Sequence, residues 1–294
     1  MRRANPLQST VRTLLGCVCV IAACAAASAQ GTQVDRGPYL QQGNSDQVIV
    51  RWRTDLATDS RVLYGTSAGV LDMEVNAAAG VTEHELILSG LTPNTRYYYA
   101  IADISGTLAG NDADHFFVTA PLAGTPKPMR IWALGDSGTG NSNAIAVRDA
   151  YYAFTGTRHT DLWLMLGDNA YGQGTDAQYQ TALFDIYPEM LIKSVLWPTI
   201  GNHDLFDGTT SSWPYYDNFT LPTGGEAGGL PSSSEAYYSF DYGNVHFVVL
   251  DSVNSNRSPG SPMLTWLAAD LISTSQDWIV AFWHHPPYTK GSHD

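Results

Sequence analysis

The sequence predicts an α/β domain preceded by an all-β sandwich. Short alternating and aromatic-rich segments fill the chain to about Ala120, and short strands at that spacing make sandwiches. Beyond a proline-rich break, apolar runs alternate with helical stretches, the pattern of an α/β domain. Three of those runs end in a glycine followed by a carboxylate or an amide. Ile131 to Leu134 leads into Gly135-Asp136, Leu162 to Leu166 into Gly167-Asp168, and Trp197 to Ile200 into Gly201-Asn202-His203-Asp204. A single Gly-Asp turn is ordinary turn chemistry. Three at strand ends matter, because ligands in α/β sheets gather at the carboxyl ends of strands.

Residues 1–29 read as an export leader, with Arg2, Arg3 and Arg12, an apolar run from about Leu14 to Ala23, and Ala27-Ser28-Ala29 as a small-residue cleavage site. The apolar run is too short to span a bilayer. Ile21-Ala22-Ala23-Cys24 also resembles a bacterial lipobox, which would place a lipid on Cys24. The expected location is therefore secreted or periplasmic, with a lipoprotein anchored through Cys24 as the alternative. All three cysteines, Cys17, Cys19 and Cys24, fall in the leader, so the body is expected to hold no disulfide and no thiolate site.

Residues 34–120 carry the sandwich. Val48 to Arg53 alternates around Trp52, Arg61 to Tyr64 is a short strand, and His84 to Leu88 alternates again. Leu91-Thr92-Pro93-Asn94-Thr95-Arg96 is a turn feeding the aromatic strand Tyr97-Tyr98-Tyr99. Residues 121–128, with three prolines, mark the boundary. In residues 129–294 a helix is expected over Ser142 to Phe154, burying Ile145, Val147 and Tyr151, and a helical stretch over Ala177 to Tyr187. Leu221 to Ser234 reads as a loop. Tyr237 to Phe240 and Val245 to Leu250 flank Asp241-Tyr242-Gly243-Asn244 as a hairpin. A helix from about Met263 to Ser273 precedes a last strand, Trp278 to Trp283, which delivers His284 and His285.

The formal charge is −13 over 294 residues, and the leader contributes only positive charge, so the body is more acidic still. That balance disfavours nucleic acid and anionic membranes as partners. Gly135 to Ser142 has the glycine spacing of a phosphate loop, but Asn141 stands where the lysine must be, so it is not read as one. A metal site explains the strand ends better. Asp136, Asp168, Tyr171 and Asn202 offer oxygen and His284 an imidazole, a set suited to iron, zinc or manganese. A carboxylate between two metals can bridge them, as in two-metal phosphoryl transfer, and Asp168 is the candidate bridge. His84, His115, His159 and His246 have no motif around them and read as surface or structural.

Gly135-Asp136-Ser137-Gly138, Gly167-Asp168-Asn169-Ala170-Tyr171 and Gly201-Asn202-His203-Asp204 resemble, in order, the GDxG, GDxxY and GNH(D/E) motifs of purple acid phosphatases. Ala281-Phe282-Trp283-His284 is similar to that family's VxxH, with alanine for valine. The wider calcineurin-like metallophosphatases open with DxH and GDxxD. Gly138 replaces that histidine here and Tyr171 the last aspartate, and the paired change is the specific signal. The turn before Tyr97 similarly resembles the tyrosine corner of fibronectin type III domains, with Trp52 as the core tryptophan.

The resemblance implies a mixed β-sandwich flanked by helices and an acid phosphatase acting on phosphate monoesters through a metal-bound hydroxide. It implies a binuclear centre, with Fe(III) on Asp136, Asp168 and Tyr171 and a divalent iron, zinc or manganese on Asp168, Asn202 and His284. The Tyr171 phenolate would give the colour. His203 and His293 would contact phosphate, and one would protonate the leaving alcohol. Asp204 is expected behind the ligands as a partner of His203, and His285 is expected to turn into the domain. The family's final GHxH motif does not occur in this sequence, so each metal is expected one ligand short and the chain is read as part of a longer product. A phosphodiesterase or nucleotidase, or a non-catalytic exported binding protein, are the rival readings. Asn218-Phe219-Thr220 is a glycosylation sequon if the host is eukaryotic.

Overall fold

The computed structural model of the protein describes residues 31–205 and 213–290 together with Met1. The leader with Cys24, and His293, lie outside the described residues. Residues from Thr32 onward form one compact unit. Among the described residues no helix is long and apolar enough to cross a membrane.

Strands β1 (Val34–Gln41), β2 (Gln47–Gly65), β3 (Met73–Ser89), β4 (Arg96–Asp103), β5 (Gly106–Gly110) and β6 (Phe116–Val118) form one hydrogen-bonded antiparallel sheet of six strands, folded over into the sandwich. The segments expected as separate strands at Val48 to Arg53 and Arg61 to Tyr64 are two halves of β2. Its first half pairs with β1 and the end of β3, and its second half with the start of β3 and with β4. The ladder shifts register between Arg53 and Thr58, and such irregularities let strands bend from one layer to the other. Val48, Val50 and Trp52 bury one face of β2 in the sandwich core, with Leu86, Leu88 and Tyr99. Tyr97 accepts the Thr92 N–H on its hydroxyl at 2.9 Å, closing the turn.

The opposite face of β1 and β2 is buried too, against the α/β part. Side chains alternate along a strand, so Tyr39 and Arg51 turn outward and reach the backbone carbonyls of Asn218 and Asp217 at 2.8 and 2.7 Å. Asn218, inside the sequon, is only 1% exposed and accepts from Arg36.

The α/β part contains β7 (Ile131–Leu134), α1 (Ser142–Thr155), β8 (Leu162–Met165), α2 (Asp176–Tyr179), α3 (Pro188–Leu191), β9 (Val195–Pro198), α4 (Pro214–Asn218), β10 (Tyr238–Tyr242), β11 (Val245–Val249), α5 (Pro262–Ser273) and β12 (Trp278–Phe282). A π-helical turn, Gln180–Phe184, continues α2. Strands β7, β8 and β9 form a parallel sheet; in the second sheet β10 pairs antiparallel and β12 parallel with β11. Trp197 of β9 stacks on Phe240 of β10 at 3.8 Å, joining the two sheets through the core.

The third strand runs two residues earlier than expected, and the hairpin turn is Gly243-Asn244 alone, because Asp241 and Tyr242 remain paired with β11. Helix α1 contradicts the expected buried side. Ile145 and Val147 are 36% and 51% exposed, and Tyr151 instead stacks on Trp132 at 4.0 Å. The helical period explains this: Ala144, Tyr151, Tyr152 and Thr155 share a face at 3.6 residues per turn, whereas Ile145 and Val147 lie about 200° apart. Asn141 accepts the Asn143 and Ala144 N–H groups as the N-cap of α1. That accounts for an asparagine where a phosphate loop would need lysine.

Candidate metal centre

Four strand ends deliver the site. Strand β7 leads to Asp136, β8 to Asp168 and Tyr171, β9 to Asn202 and β12 to His284. Asp136 and Asp168 both have φ +54. Non-glycine residues in that left-handed region cost about 1 kcal/mol and collect at functional sites.

Two glycines let the loops close on one another. A Cβ on Gly138 would lie 2.4 Å from the Ala170 nitrogen. Without one, Gly138 N–H reaches the Asp168 carbonyl at 3.0 Å and its own carbonyl accepts the Tyr171 N–H at 2.8 Å. A Cβ on Gly201 would lie 2.0 Å from the Asp168 nitrogen. The glycines of the motifs are thus needed for backbone approach as much as for turning.

The five predicted ligand residues converge. Asp136, Asp168 and His284 each offer an atom within 4.8 Å of the others. The Tyr171 hydroxyl lies 3.0 Å from Asp136 Oδ1. His284 Nε2 lies 3.1 Å from Asn202 Oδ1 and 3.5 Å from Asp168 Oδ1. Asp168, buried, sits between the two groupings, since it also contacts the phenol.

The donor chemistry fits metal ions. The second ring nitrogen of His284, Nδ1, lies 3.0 Å from the Leu166 carbonyl. A carbonyl only accepts, so Nδ1 carries a hydrogen and the ring is oriented with Nε2 facing the site. There Nε2 meets the Asn202 amide oxygen and the Asp168 carboxylate, a nitrogen and two oxygens of the kinds that hold a metal ion. Burial, then the adjacent Asp168 and Asp136, push the Tyr171 phenol well above its ordinary range, and a bound cation reverses that balance.

His203 keeps its ring against Tyr171, with centroids 4.6 Å apart. Its Nδ1 donates to the Gly172 carbonyl at 2.7 Å, leaving Nε2 for other work. Its backbone N–H donates to Asp168 Oδ1 at 2.8 Å. Two expectations fail. Asp204 is not hydrogen-bonded to the His203 ring, whose Nδ1 is held by the Gly172 carbonyl. Its buried carboxylate instead accepts the Asn169, Ala170 and Gly201 N–H groups, the Asn169 amide and the Tyr179 hydroxyl. Burial raises Asp204 to about 6 against those bonds. His285 does not turn into the domain: it is exposed and bonds to Ser252, because it follows β12, where alternation reverses its direction relative to His284.

Sequence reasoning missed Tyr179 and the Leu166 carbonyl. A partial signal existed for the first, since Thr175 and Gln178 form the capping box of α2 and a T-x-x-Q pattern marks a helix start. Nothing in that pattern gives the direction of the phenol.

Residues 129–294 match a family model described as calcineurin-like phosphoesterase, and residues 36–119 one described as the N-terminal domain of purple acid phosphatase. Among curated relatives, purple acid phosphatase 23 of Arabidopsis thaliana is 30% identical over 252 residues, covering 74% of this chain and 51% of the relative. Purple acid phosphatase 13 of the same plant is 27% identical over 282 residues, covering 82% and 49%. This chain thus spans about half the length of the curated relatives it matches. Among solved structures, PhoD is similar in fold, with a TM-score of 0.59 at 16% identity over 83% of this chain and 60% of that one.

Proposed function

Since the chain belongs to the calcineurin-like phosphoesterases and carries a purple acid phosphatase N-terminal domain, we propose that it acts as an exported acid phosphatase on small phosphate monoesters. The observation that carries this reading is the convergence of Asp136, Asp168, Tyr171, Asn202 and His284, with the Tyr171 hydroxyl on Asp136. The proposed division is a fibronectin type III-like sandwich over 34–120, a linker over 121–128 and the catalytic domain over 129–294; the Tyr97 to Thr92 bond and the buried Trp52 support the first of these.

Asp136, Asp168 and Tyr171 would hold a ferric ion, and Asp168, Asn202 and His284 a divalent iron, zinc or manganese ion. The pair would supply positive charge for the phosphoryl oxygens and a water deprotonated in acid as the nucleophile. The chain's own part is to position and to move protons. Asp168 fixes the two halves of the site relative to each other. His203, whose Nδ1–H is held by the Gly172 carbonyl, would in its imidazolium form give the Nε2 proton to the leaving alcohol as the phosphorus–oxygen bond breaks. His293 is proposed to share the phosphate contact. In a protein of charge −13, an anionic substrate needs that local field, while long nucleic acids are repelled.

The test is to load the protein with iron and zinc, record its visible spectrum, and assay a chromogenic phosphomonoester and diester in mildly acidic buffer. A visible band and monoester hydrolysis are expected, and Tyr171→Phe should lose the band while the fold remains. A colourless, inactive iron-loaded protein sinks the assignment. A preference for the diester moves it to a phosphodiesterase.

A further inference from the structure

We propose that the N-terminal sandwich sets the metal affinity of the α/β part through a relay of hydrogen bonds, with Tyr179 and Asp204 as positioning residues of the centre. The inference rests on the phosphoesterase reading above.

The relay begins at Arg36, 2% exposed on β1. Its guanidinium donates to Asp176 Oδ1 at 2.9 Å, to Gln180 Oε1 at 2.8 Å and to the Asp176 carbonyl at 3.3 Å. Arg53 of β2 forks onto the same carboxylate at 2.7 and 3.0 Å. Two arginines of the sandwich therefore grip α2 and the turn after it. A four-residue helix has little stability of its own, so its position depends on such external bonds.

Between the two gripped residues stands Tyr179, fully buried, whose hydroxyl donates to Asp204 Oδ1 at 2.8 Å. Asp204 in turn receives the backbone N–H groups of Asn169 at 2.9 Å and Ala170 at 3.2 Å, and that of Gly201 at 2.8 Å. Asn169 and Ala170 lie between the ligands Asp168 and Tyr171, and Gly201 precedes the ligand Asn202. One carboxylate thus fixes the loop from β8 against the turn from β9, and Tyr179 fixes that carboxylate to the part of the chain the sandwich holds. Metal sites lose affinity when such outer partners are removed, because the ligands no longer meet at the required distances. The sandwich, which supplies none of the predicted ligands, acquires a role through them.

The test uses the full chain and zinc alone, with zinc dissociation constants from competition with a chromogenic chelator and thermal unfolding of the metal-free protein in parallel. Tyr179→Phe is expected to weaken zinc binding about tenfold. Asp176→Asn is expected to weaken it less, and the double variant no more than Tyr179→Phe alone, as a serial link requires. Tyr99→Phe removes another buried hydroxyl contact between the sandwich and the α/β part, at 3.1 Å to the Ile192 carbonyl, and should leave zinc binding unchanged. The relay is overturned if Tyr179→Phe binds zinc as the wild type does, if the single effects multiply, or if Tyr99→Phe weakens zinc equally. A wild type that takes up no zinc overturns the phosphoesterase reading and the relay with it.

Discussion

At the scale of single residues, His203 carries the sharpest expectation. With Nδ1–H committed to the Gly172 carbonyl, the role proposed for His203 is to donate the Nε2 proton of its imidazolium to the leaving oxygen. His203→Ala should therefore slow hydrolysis of an alkyl phosphate by about 10²-fold or more and that of a nitrophenyl phosphate, whose leaving group needs no proton, far less. Equal losses on both substrates would assign His203 to phosphate binding alone. The residues that converge at the site were legible because each stands at a strand end in a spaced motif, so their chemistry and their placement coincide in the sequence. Tyr179 was not, since a tyrosine in an amphipathic turn looks the same whether its hydroxyl meets water or Asp204. The role of Asp204 was misjudged for a related reason: adjacency to His203 in the chain says nothing about which neighbour a buried carboxylate faces.

Among the elements, β7 and β8 stand within a residue of where the sequence puts them, whereas β9 begins two residues earlier, where its pairing with β8 sets the ends. Helix α1 stands where the sequence puts it but buries another side, because Ile145 and Val147, though aliphatic, do not share a face at the helical period. Strand β11 and helix α5 share a feature with no sequence signal. His246, fully buried, stands between Asp241 Oδ1 and Asp270 Oδ2, each at 2.8 Å. Burial pulls the imidazolium down, but the bonds to Asp241 and Asp270 outweigh it and hold His246 at about 9. A folded pKa above the unfolded one contributes its full stability below about 6.5 and loses it as pH rises through about 9. The contribution is on the order of 3 kcal/mol. Urea unfolding of the wild type should therefore weaken across that window, while His246→Asn, less stable at neutral pH, converges on it. Parallel pH profiles would remove His246 as the cause.

Over the whole molecule, the layer of β1 and β2 is covered on both sides, by the sandwich core and by the α/β part. That is why Val48 to Trp52 contains almost no polar residue, and why Arg51, which looks like a surface residue in the sequence, is 8% exposed. Two parts that the sequence separates by a proline-rich linker are joined by side chains that give no sign of it, Arg36 among them. The same joint bears on how the protein can be manufactured. Asn218, buried there against Arg36, belongs to an acceptor sequence that eukaryotic secretory machinery modifies while the chain is still being made. A sugar attached at that moment would occupy the space Arg36 needs, so yeast or insect cells should partition the product. Mass spectrometry of the active, soluble fraction should find Asn218 bare and the retained fraction glycosylated, whereas bacterial expression would avoid the conflict; an active pool glycosylated at Asn218 would show that the joint tolerates the sugar.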